Sequence, residues 1–239
     1  MSGKIVAGLL LAFLSMLAAA DCVVLLHGLA RTSSSMEPLS GALREAGYRV
    51  VNVDYPSREK PIEELAPLAI GSGLEGCGPE PTVHFVTHSL GGILVRYYLA
   101  NNEFANLGRV VMIAPPNQGS EVVDNLGEIP GFSEFNGPAG AQLGTGENSV
   151  PLSLGPVEFE VGIIAGTKTV NLILSQYLPN PDDGKVSVAS ARVEGMQDFI
   201  EVPYSHPFIM RAPLVIKQTR AFLTQGKFDH SPAEDSTAE

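Results

Sequence analysis

The sequence Val86-Thr-His-Ser89-Leu-Gly91-Gly92 places a serine where an apolar strand is predicted to pass sharply into a helix. Glycines after the serine let the helix pack close to the strand and let the backbone adopt a strained turn. A serine in front of a helix can also act as a simple N-cap. The rest of the chain must therefore distinguish a helix cap from a reactive group held in a strained turn.

Strand-length apolar runs and helix-length amphipathic segments alternate on both sides of this stretch. The apolar runs predict strands at 22–28, 48–54, 82–87, 109–114, 157–165 and 198–202. The segments between them predict helices at 34–46, 61–74, 90–101 and 207–224. This alternation predicts an α/β fold with about six mostly parallel strands, helices on both faces and right-handed crossovers.

Composition limits both the class of protein and its partners. The 239 residues are 44% hydrophobic and 17% charged, which excludes a disordered or collagen-like chain and favours one large domain. Fifteen Lys and Arg stand against 26 Asp and Glu, for a net charge of −11. Without a basic cluster, nucleic acid is not an expected partner, and an anionic membrane surface is disfavoured.

The N-terminus has the form of a secretory signal peptide. Lys4 precedes an apolar run over residues 5–17, and Ala18-Ala19-Ala20 supplies small residues for cleavage. A buried first strand and a membrane anchor are the alternatives, although the run is short for a membrane span and no basic stop follows. We predict a signal over residues 1–20, no stable membrane insertion, and an exported protein, periplasmic or secreted.

Two further segments depart from the alternating pattern. Residues 117–156 contain 8 Gly and 4 Pro, too many for one regular element, and loops of this length are usually lids or binding loops. Residues 227–239 are acidic and without periodicity, which predicts a disordered tail. The domain is therefore expected over residues 21–226, with a lid insertion at about 117–156.

Three motifs together resemble the α/β-hydrolase superfamily, in particular its small bacterial lipases and esterases. The Ser89 stretch resembles the nucleophile elbow G-x-S-x-G, with Thr87 in place of the first glycine. His27-Gly28, at the end of the first strand, resembles the dipeptide that opens the oxyanion hole in this superfamily. The stretch 114–120 contains Pro-Asn-Gln-Gly-Ser, which resembles the P-N-x-G-S of bacterial lipases. The resemblance covers about residues 22–225.

The resemblance implies a nucleophile, a base and two backbone donors. Ser89 would be the nucleophile, and the N–H groups of Leu29 and Leu90 would form the oxyanion hole. The superfamily's chain order of nucleophile, acid and histidine leaves His206 and His230 as candidate bases. His206 is preferred because it follows the last strand, at the sheet edge where ligands bind in open α/β sheets.

The acid is less uniquely placed. Asp183, in Asp183-Gly-Lys-Val186, resembles the acid in the D-G-x-V segment of many bacterial lipases. Asp182 is the adjacent rival, and Asp182-Asp-Gly could also form an ordinary turn. Glu121 and Asp124, after the fourth strand, are weaker candidates. We take Asp183 as the acid.

These residues predict a carboxylic ester hydrolase that forms an acyl-enzyme, with a small-molecule or lipid ester as substrate. No cofactor is expected, and metal is not expected because no H-E-x-x-H motif or Cys/His cluster occurs. The lid contains acids and no bases, which favours neutral acyl esters over anionic ones. A thioesterase, amidase or acyltransferase with the same triad, and a non-catalytic exported binding module, remain alternatives.

The two cysteines, Cys22 and Cys77, suggest one disulfide in an exported chain, with two buried thiols as the alternative. In the superfamily, the strand ending at His27-Gly28 neighbours the strand ending at Ser89. By this resemblance, both cysteines lie near the starts of adjacent strands, which are about 4.8 Å apart. We therefore predict a Cys22–Cys77 bridge.

Overall fold

The computed structural model describes residues 20–79, 81–127 and 131–231. Its sheet has six strands, all parallel, in the order β2-β1-β3-β4-β5-β6. The strands are β1 (Cys22–Leu26), β2 (Arg49–Val53), β3 (Val83–His88), β4 (Leu107–Ile113), β5 (Val161–Gly166) and β6 (Asp198–Val202). The predicted α/β class and the six-stranded parallel sheet are confirmed.

Helices cover both faces of this sheet. The long ones are α1 (Glu37–Glu45), α2 (Ile62–Cys77), α3 (Leu90–Asn101) and α9 (Pro213–Gln225). The segment predicted as a lid contains α4 (Glu121–Leu126), α5 (Phe132–Ala141) and α6 (Val150–Ser153), and two further short helices are α7 (Leu172–Ser175) and α8 (Val188–Ala191). Gly137 interrupts α5 with a φ of 68°, a conformation that favours glycine.

Alternate residues of each buried strand enter different cores, because successive side chains of a strand point to opposite faces. In β1, Val24 and Leu26 pack with α2 and α3, whereas Val23 and Leu25 pack with α1 and α9. All five residues of β1 are fully buried. This two-sided burial explains why the strands are continuous apolar runs rather than alternating ones.

Two helices begin later than the sequence predicts. The first is preceded by a 3-10 turn over Ser33–Met36, so that α1 begins at Glu37. The last begins at Pro213 rather than at residue 207, and Ala212 before it is extended. Proline suits the first helical position because its missing N–H is not needed there, and it disfavours helical geometry in the residue before it.

The beginning of the predicted disordered tail is ordered. Phe228 is buried and its ring lies 5.0 Å from that of Phe222 in α9. The imidazole Nε2 of His230 lies 2.9 Å from the carboxylate of Asp198, at the start of β6. The apolar Phe228 outweighs the acidic composition around it, and the prediction was wrong for residues 227–231. Residues 232–239 and the predicted signal, apart from Ala20, lie outside the described residues.

Cys22 and Cys77 are joined by a disulfide, with their Cα atoms 5.8 Å apart. Cys22 is the first residue of β1 and Cys77 is the last residue of α2, so the bond joins a central strand to a covering helix. Within the described ranges, no helix combines the length and the apolar character needed to cross a membrane.

Candidate active site

Ser89 occupies a strained turn between β3 and α3. Its φ of 52° and ψ of −121° lie in a region that a residue with a Cβ rarely adopts and that costs about 1–3 kcal/mol. Its backbone N–H donates to the carbonyl of Ile113 at 2.9 Å, which holds the turn against β4. Ser89 Oγ makes no capping hydrogen bond to α3. The side chain is therefore not used as a helix cap.

The glycines around the turn permit close approach of backbone segments. A Cβ on Gly91 would lie 2.7 Å from the carbonyl oxygen of Leu26, and a Cβ on Gly28 would lie 2.8 Å from His88 Nδ1. Thr87, which replaces the first glycine of the elbow pattern, fits because its Oγ1 lies against Gly92, where a Cβ would be 3.3 Å away. Gly92 has no side chain and therefore leaves room for the side chain of Thr87.

Three side chains from separate loops form a hydrogen-bonded chain at the carboxyl edge of the sheet. His206 Nε2 lies 3.1 Å from Ser89 Oγ, and His206 Nδ1 lies 2.7 Å from Asp183 Oδ2. All three side chains are buried. With the proton on Nδ1, the ring donates to the carboxylate and Nε2 is free to accept from the serine hydroxyl.

Asp183, rather than its neighbour, faces the histidine. The second oxygen of Asp183 accepts hydrogen bonds from the N–H groups of Lys185 and Val186, at 3.0 and 2.8 Å. The carboxylate of Asp182 points elsewhere and accepts from the Gly184 N–H at 2.7 Å and the Ser175 hydroxyl at 2.6 Å. Asp182 therefore shapes the turn that holds Asp183.

The other candidates also have different partners. Glu121 accepts from the Ser190 hydroxyl at 3.2 Å. Asp124 accepts from the N–H and the hydroxyl of Thr145, at 2.8 and 2.6 Å. His230 pairs with Asp198 at the amino end of β6, the opposite edge of the sheet from Ser89. None of the three takes part in the Ser89–His206–Asp183 chain.

The His27-Gly28 dipeptide is held rigidly next to this chain. His27 Nδ1 donates to the carbonyl of Gly28 at 2.9 Å, and Nε2 accepts from the N–H of Tyr55 at 3.3 Å. The two rings stack at 4.1 Å, and burial lowers the pKa of His27, which favours the neutral form. Because the Gly28 carbonyl shares a peptide plane with the Leu29 N–H, the imidazole also orients that N–H.

The backbone donors predicted for an oxyanion hole are both available. Within the described residues, neither the N–H of Leu29 nor that of Leu90 has a protein acceptor. Leu90 is the first residue of α3, where the N–H groups of a helix have no intrahelical partner. Leu29 follows the close contact between Gly28 and the Ser89 turn. Both donors therefore belong to segments that surround the serine.

Ser89 opens into an apolar cavity of about 510 Å³. Helices α4 and α5, from the predicted lid, provide much of its wall, and α7 provides another part. The wall is mostly aliphatic and aromatic, formed by Leu29, Val122, Val123, Leu126, Phe135, Leu143, Val170, Leu174 and Val186. A cavity of this size and character is typical of a small-molecule site.

Two cations lie on the cavity wall outside the predicted lid, in a part of the wall that the expectation from the lid composition did not cover. Arg31 and Lys185 both line the cavity, although neither belongs to the lid. The lid does lack bases, but the loops after β1 and β5 supply them. The preference for neutral esters, which rested on the lid alone, was therefore drawn from too small a part of the wall.

The sequence profile of the alpha/beta hydrolase family matches residues 23–221, nearly the whole described chain. The chain belongs to the alpha/beta hydrolase family. No curated protein matches the sequence of this hydrolase.

Solved structures similar to this hydrolase include three bacterial or metagenomic enzymes. Mature lipase BlEst2 from Bacillus licheniformis has a TM-score of 0.68 at 18% identity, over 87% of this chain and 92% of that one. The metagenomic carboxyl esterase MGS0156 has a TM-score of 0.61 at 18% identity, over 81% and 66%. Phospholipase PlaB from Legionella pneumophila has a TM-score of 0.57 at 18% identity, over 84% and 57%. At these identities the likeness establishes the fold alone.

Two residues that the sequence analysis did not single out support the site of this hydrolase. His88 Nε2 donates to the backbone carbonyl of His206 at 3.2 Å. Burial is the largest cause that lowers the pKa of His88 well below its usual value, and the charge of His206 is the second. Arg96 in α3 donates to the carbonyls of Asn117 and Gly155, at 2.9 and 2.6 Å. In the sequence, these two residues could have been found as a histidine directly before Ser89 and as an arginine within an otherwise apolar helix.

Proposed function

We propose that this protein is a serine hydrolase that cleaves carboxylic esters through an acyl-enzyme intermediate. The observation that carries the proposal is the buried chain from Ser89 Oγ through His206 to Asp183, with contacts of 3.1 and 2.7 Å, at an apolar cavity. Nucleophile, base and orienting acid are the parts that acyl transfer at a serine requires.

In the first half-reaction, Ser89 Oγ attacks the carbonyl carbon of the ester while His206 Nε2 takes the hydroxyl proton. The carbon–oxygen bond to the alcohol then breaks, and His206 returns the proton to the departing alcohol. In the second half-reaction, His206 takes a proton from water, which attacks the acyl-serine; the bond to Ser89 Oγ then breaks, His206 returns the proton to Ser89 Oγ, and the carboxylic acid is released. Asp183 holds the tautomer and stabilises the imidazolium.

The negative charge that develops on the carbonyl oxygen would be stabilised by the N–H groups of Leu29 and Leu90. Both lack a protein acceptor within the described residues, so they can donate without breaking an existing bond. His27 fixes the peptide of the first donor, and the start of α3 fixes the second. Loss of one such donor typically lowers kcat by about 10²–10³.

Carboxylic esters suit the cavity better than strongly polar substrates because its wall is largely aliphatic. A lipase and a carboxyl esterase among the similar structures are consistent with this class of substrate. An acyl chain would occupy the part of the cavity formed by the apolar residues of α4, Val122, Val123 and Leu126.

The test is labelling with a fluorophosphonate, followed by kinetics on a chain-length series of p-nitrophenyl esters. We expect the label on Ser89 and loss of at least about 10³-fold in kcat for Ser89→Ala. The matched control is Ser40→Ala, because Ser40 is also fully buried but lies in α1, away from the cavity. A correctly folded Ser89→Ala variant that keeps more than about 1% of the activity would exclude the proposed nucleophile.

We also propose that the protein is exported after removal of residues 1–20. The disulfide between Cys22 and Cys77 is compatible with an oxidising compartment. Mass spectrometry of the protein outside the cytoplasm should find a chain that begins at Asp21 and cysteines that resist alkylation without reductant. A chain that retains Met1–Ala20, or two alkylated thiols, would contradict the proposal.

A further inference from the structure

Arg31 and Lys185 are two solvent-exposed cations on the wall of the proposed ester site. Neither side chain makes a hydrogen bond or ion pair within the described residues. Asp183 is the one carboxylate on the described part of the wall, and it is occupied by His206 and two backbone N–H groups. The described wall therefore carries two formal positive charges and one negative charge.

The two cations line the same cavity as Ser89, Asp183 and His206. Desolvation by the surrounding protein, followed by the charge of Arg31, lowers the pKa of Lys185, whereas the carboxylate of Asp183 acts in the opposite direction. Both cations also contribute to lowering the pKa of His88, after its burial and the effect of His206. Like charges that repel in this way would be relieved by an anion placed between them.

Their positions in the chain place both cations next to the reacting groups. Arg31 is two residues after Leu29, and Lys185 is two residues after Asp183. Two residues span at most about 7 Å, so each long side chain can reach a group close to the scissile ester.

Arg31 also lines a second cavity, of about 920 Å³, whose mainly polar wall carries two further arginines, Arg58 and Arg211, and three carboxylates, Asp54, Glu59 and Glu134. It thus stands between an apolar cavity suited to an acyl chain and a polar one suited to the alcohol. Arginine matches a carboxylate or phosphate with two parallel hydrogen bonds, and lysine adds a point charge.

We propose that Arg31 and Lys185 form an anion-binding subsite that selects esters whose alcohol part carries a carboxylate or a phosphate. This inference rests on the proposed ester hydrolysis at Ser89 and adds the charge of the substrate to it. A mainly acidic protein would otherwise repel such an ester, so a local positive wall is also the means of attracting it.

The experiment compares three esters that differ only at the end of the alcohol: 1-butanoylglycerol, its 3-phosphate and 3-O-butanoylglycerate. Butyrate release gives kcat/KM for each. The readout is the ratio of kcat/KM for a charged ester over the neutral one, so a general change in activity cancels. Comparison of the ratio for the phosphate ester with that for the carboxylate ester shows which anion the subsite prefers.

We expect the wild-type ratio to exceed 1 for at least one anion and to fall with added salt, because salt screens the attraction. Arg31→Gln and Lys185→Gln should each lower this ratio about 10-fold. Arg220→Gln and Lys227→Gln, which remove one charge on or just after α9, should leave it unchanged. Circular dichroism verifies that all four variants fold.

Two results would overturn the subsite. One is a wild-type preference for the neutral ester, and the other is an equal change of the ratio in the α9 control variants. Failure of the proposed function is a different result, because 1-butanoylglycerol and the p-nitrophenyl esters would then also remain uncleaved.

Discussion

The backbone N–H of His206 donates to the carbonyl oxygen of Asp183 at 2.9 Å, in addition to the 2.7 Å bond between their side chains. The loops after β5 and β6 are therefore joined twice at the same pair of residues. The backbone bond fixes the separation of the two loops, so the carboxylate stays within hydrogen-bond reach of the imidazole. This double connection keeps the ring directed toward Ser89, as a general base requires.

The geometry predicts different effects for the two adjacent aspartates. Asp183→Asn should lower kcat about 10⁴-fold, because an amide no longer favours the required tautomer of His206. Asp182→Asn should lower kcat less than about tenfold, since one oxygen can still accept from the Gly184 N–H. Steady-state kinetics on a p-nitrophenyl ester, with thermal unfolding as a control for folding, checks both. Equal losses in the two variants would contradict the assignment.

The two candidate histidines can be separated in the same way. His206→Ala should lower kcat by at least about 10³-fold, because among the described residues no other basic side chain hydrogen-bonds to Ser89 Oγ. His230→Ala should leave kcat nearly unchanged, since His230 lies at the opposite edge of the sheet. The point variant is preferable to deletion of residues 227–239, because deletion would also remove the buried Phe228. Loss of kcat in His230→Ala, with the fold intact, would reverse the choice.

Most strands were predictable because a parallel sheet covered on both faces requires continuous apolar runs, as in β1 and β3. The four-residue helices α7 and α8 were not, since so short a segment carries no helical periodicity. Only the resemblance to the D-G-x-V segment favoured Asp183 over Asp182, because both residues suit a turn, and the fold shows that the Asp183 carboxylate faces His206.

The charge of the cavity was the main feature that the sequence did not reveal. Arg31 and Lys185 lie on separate loops, after β1 and β5, and only the sheet order brings them to one cavity. The composition of the predicted lid, residues 117–156, can be read from the sequence, but the lid forms only one part of the cavity wall. Net charge likewise describes the whole surface and not the local wall of a site.

Acid should destabilise the protein through its buried histidines. Burial lowers the pKa of His27, His84 and, most strongly, His88. Below a pH of about 6.5 the unfolded chain binds protons at these positions while the folded chain does not, so the free energy of unfolding falls as pH decreases. Each histidine contributes up to about 1.4 kcal/mol per pH unit.

Guanidinium unfolding at pH 7.5, 6.0 and 5.0 measures this slope. His88→Gln should make it shallower, because the amide can still donate to the His206 carbonyl but does not titrate. An unchanged slope in the variant would show that His88 does not contribute.

The two glycines after Ser89 should differ in their tolerance of a methyl group. In Gly91→Ala, the Cβ would meet the backbone oxygen of Leu26 at 2.7 Å, which can shift only with β1. In Gly92→Ala, the contacts of 3.3 Å with Thr87 and Pro115 involve side chains. We expect about 3 kcal/mol of destabilisation and loss of activity for Gly91→Ala, and about 1 kcal/mol for Gly92→Ala. Chemical unfolding of both variants tests this order. An equal decrease in the free energy of unfolding in the two variants would contradict it.

Arg96 should connect the segment 117–156 to α3, the helix that follows Ser89. Its guanidinium donates to the carbonyls of Asn117 and Gly155, which lie near the two ends of the segment 117–156. Burial lowers the pKa of Arg96 to about 10, so the side chain remains charged at neutral pH. Arg96→Met would leave the buried carbonyl of Asn117 without this donor and would also remove the link from α3 to the exposed Gly155, at the other end of the segment 117–156.

We expect Arg96→Met to lower the free energy of unfolding by about 3 kcal/mol and to speed proteolytic cleavage within residues 117–156. Arg44→Met is the matched control, because the ion pair of Arg44 with Glu37 is exposed and should contribute less than about 1 kcal/mol. Chemical unfolding and limited proteolysis with mass-spectrometric mapping measure the two effects. If cleavage in the Arg96 variant is no faster than in the Arg44 variant, the arginine does not hold the lid, because its carbonyl partners then remain ordered without it.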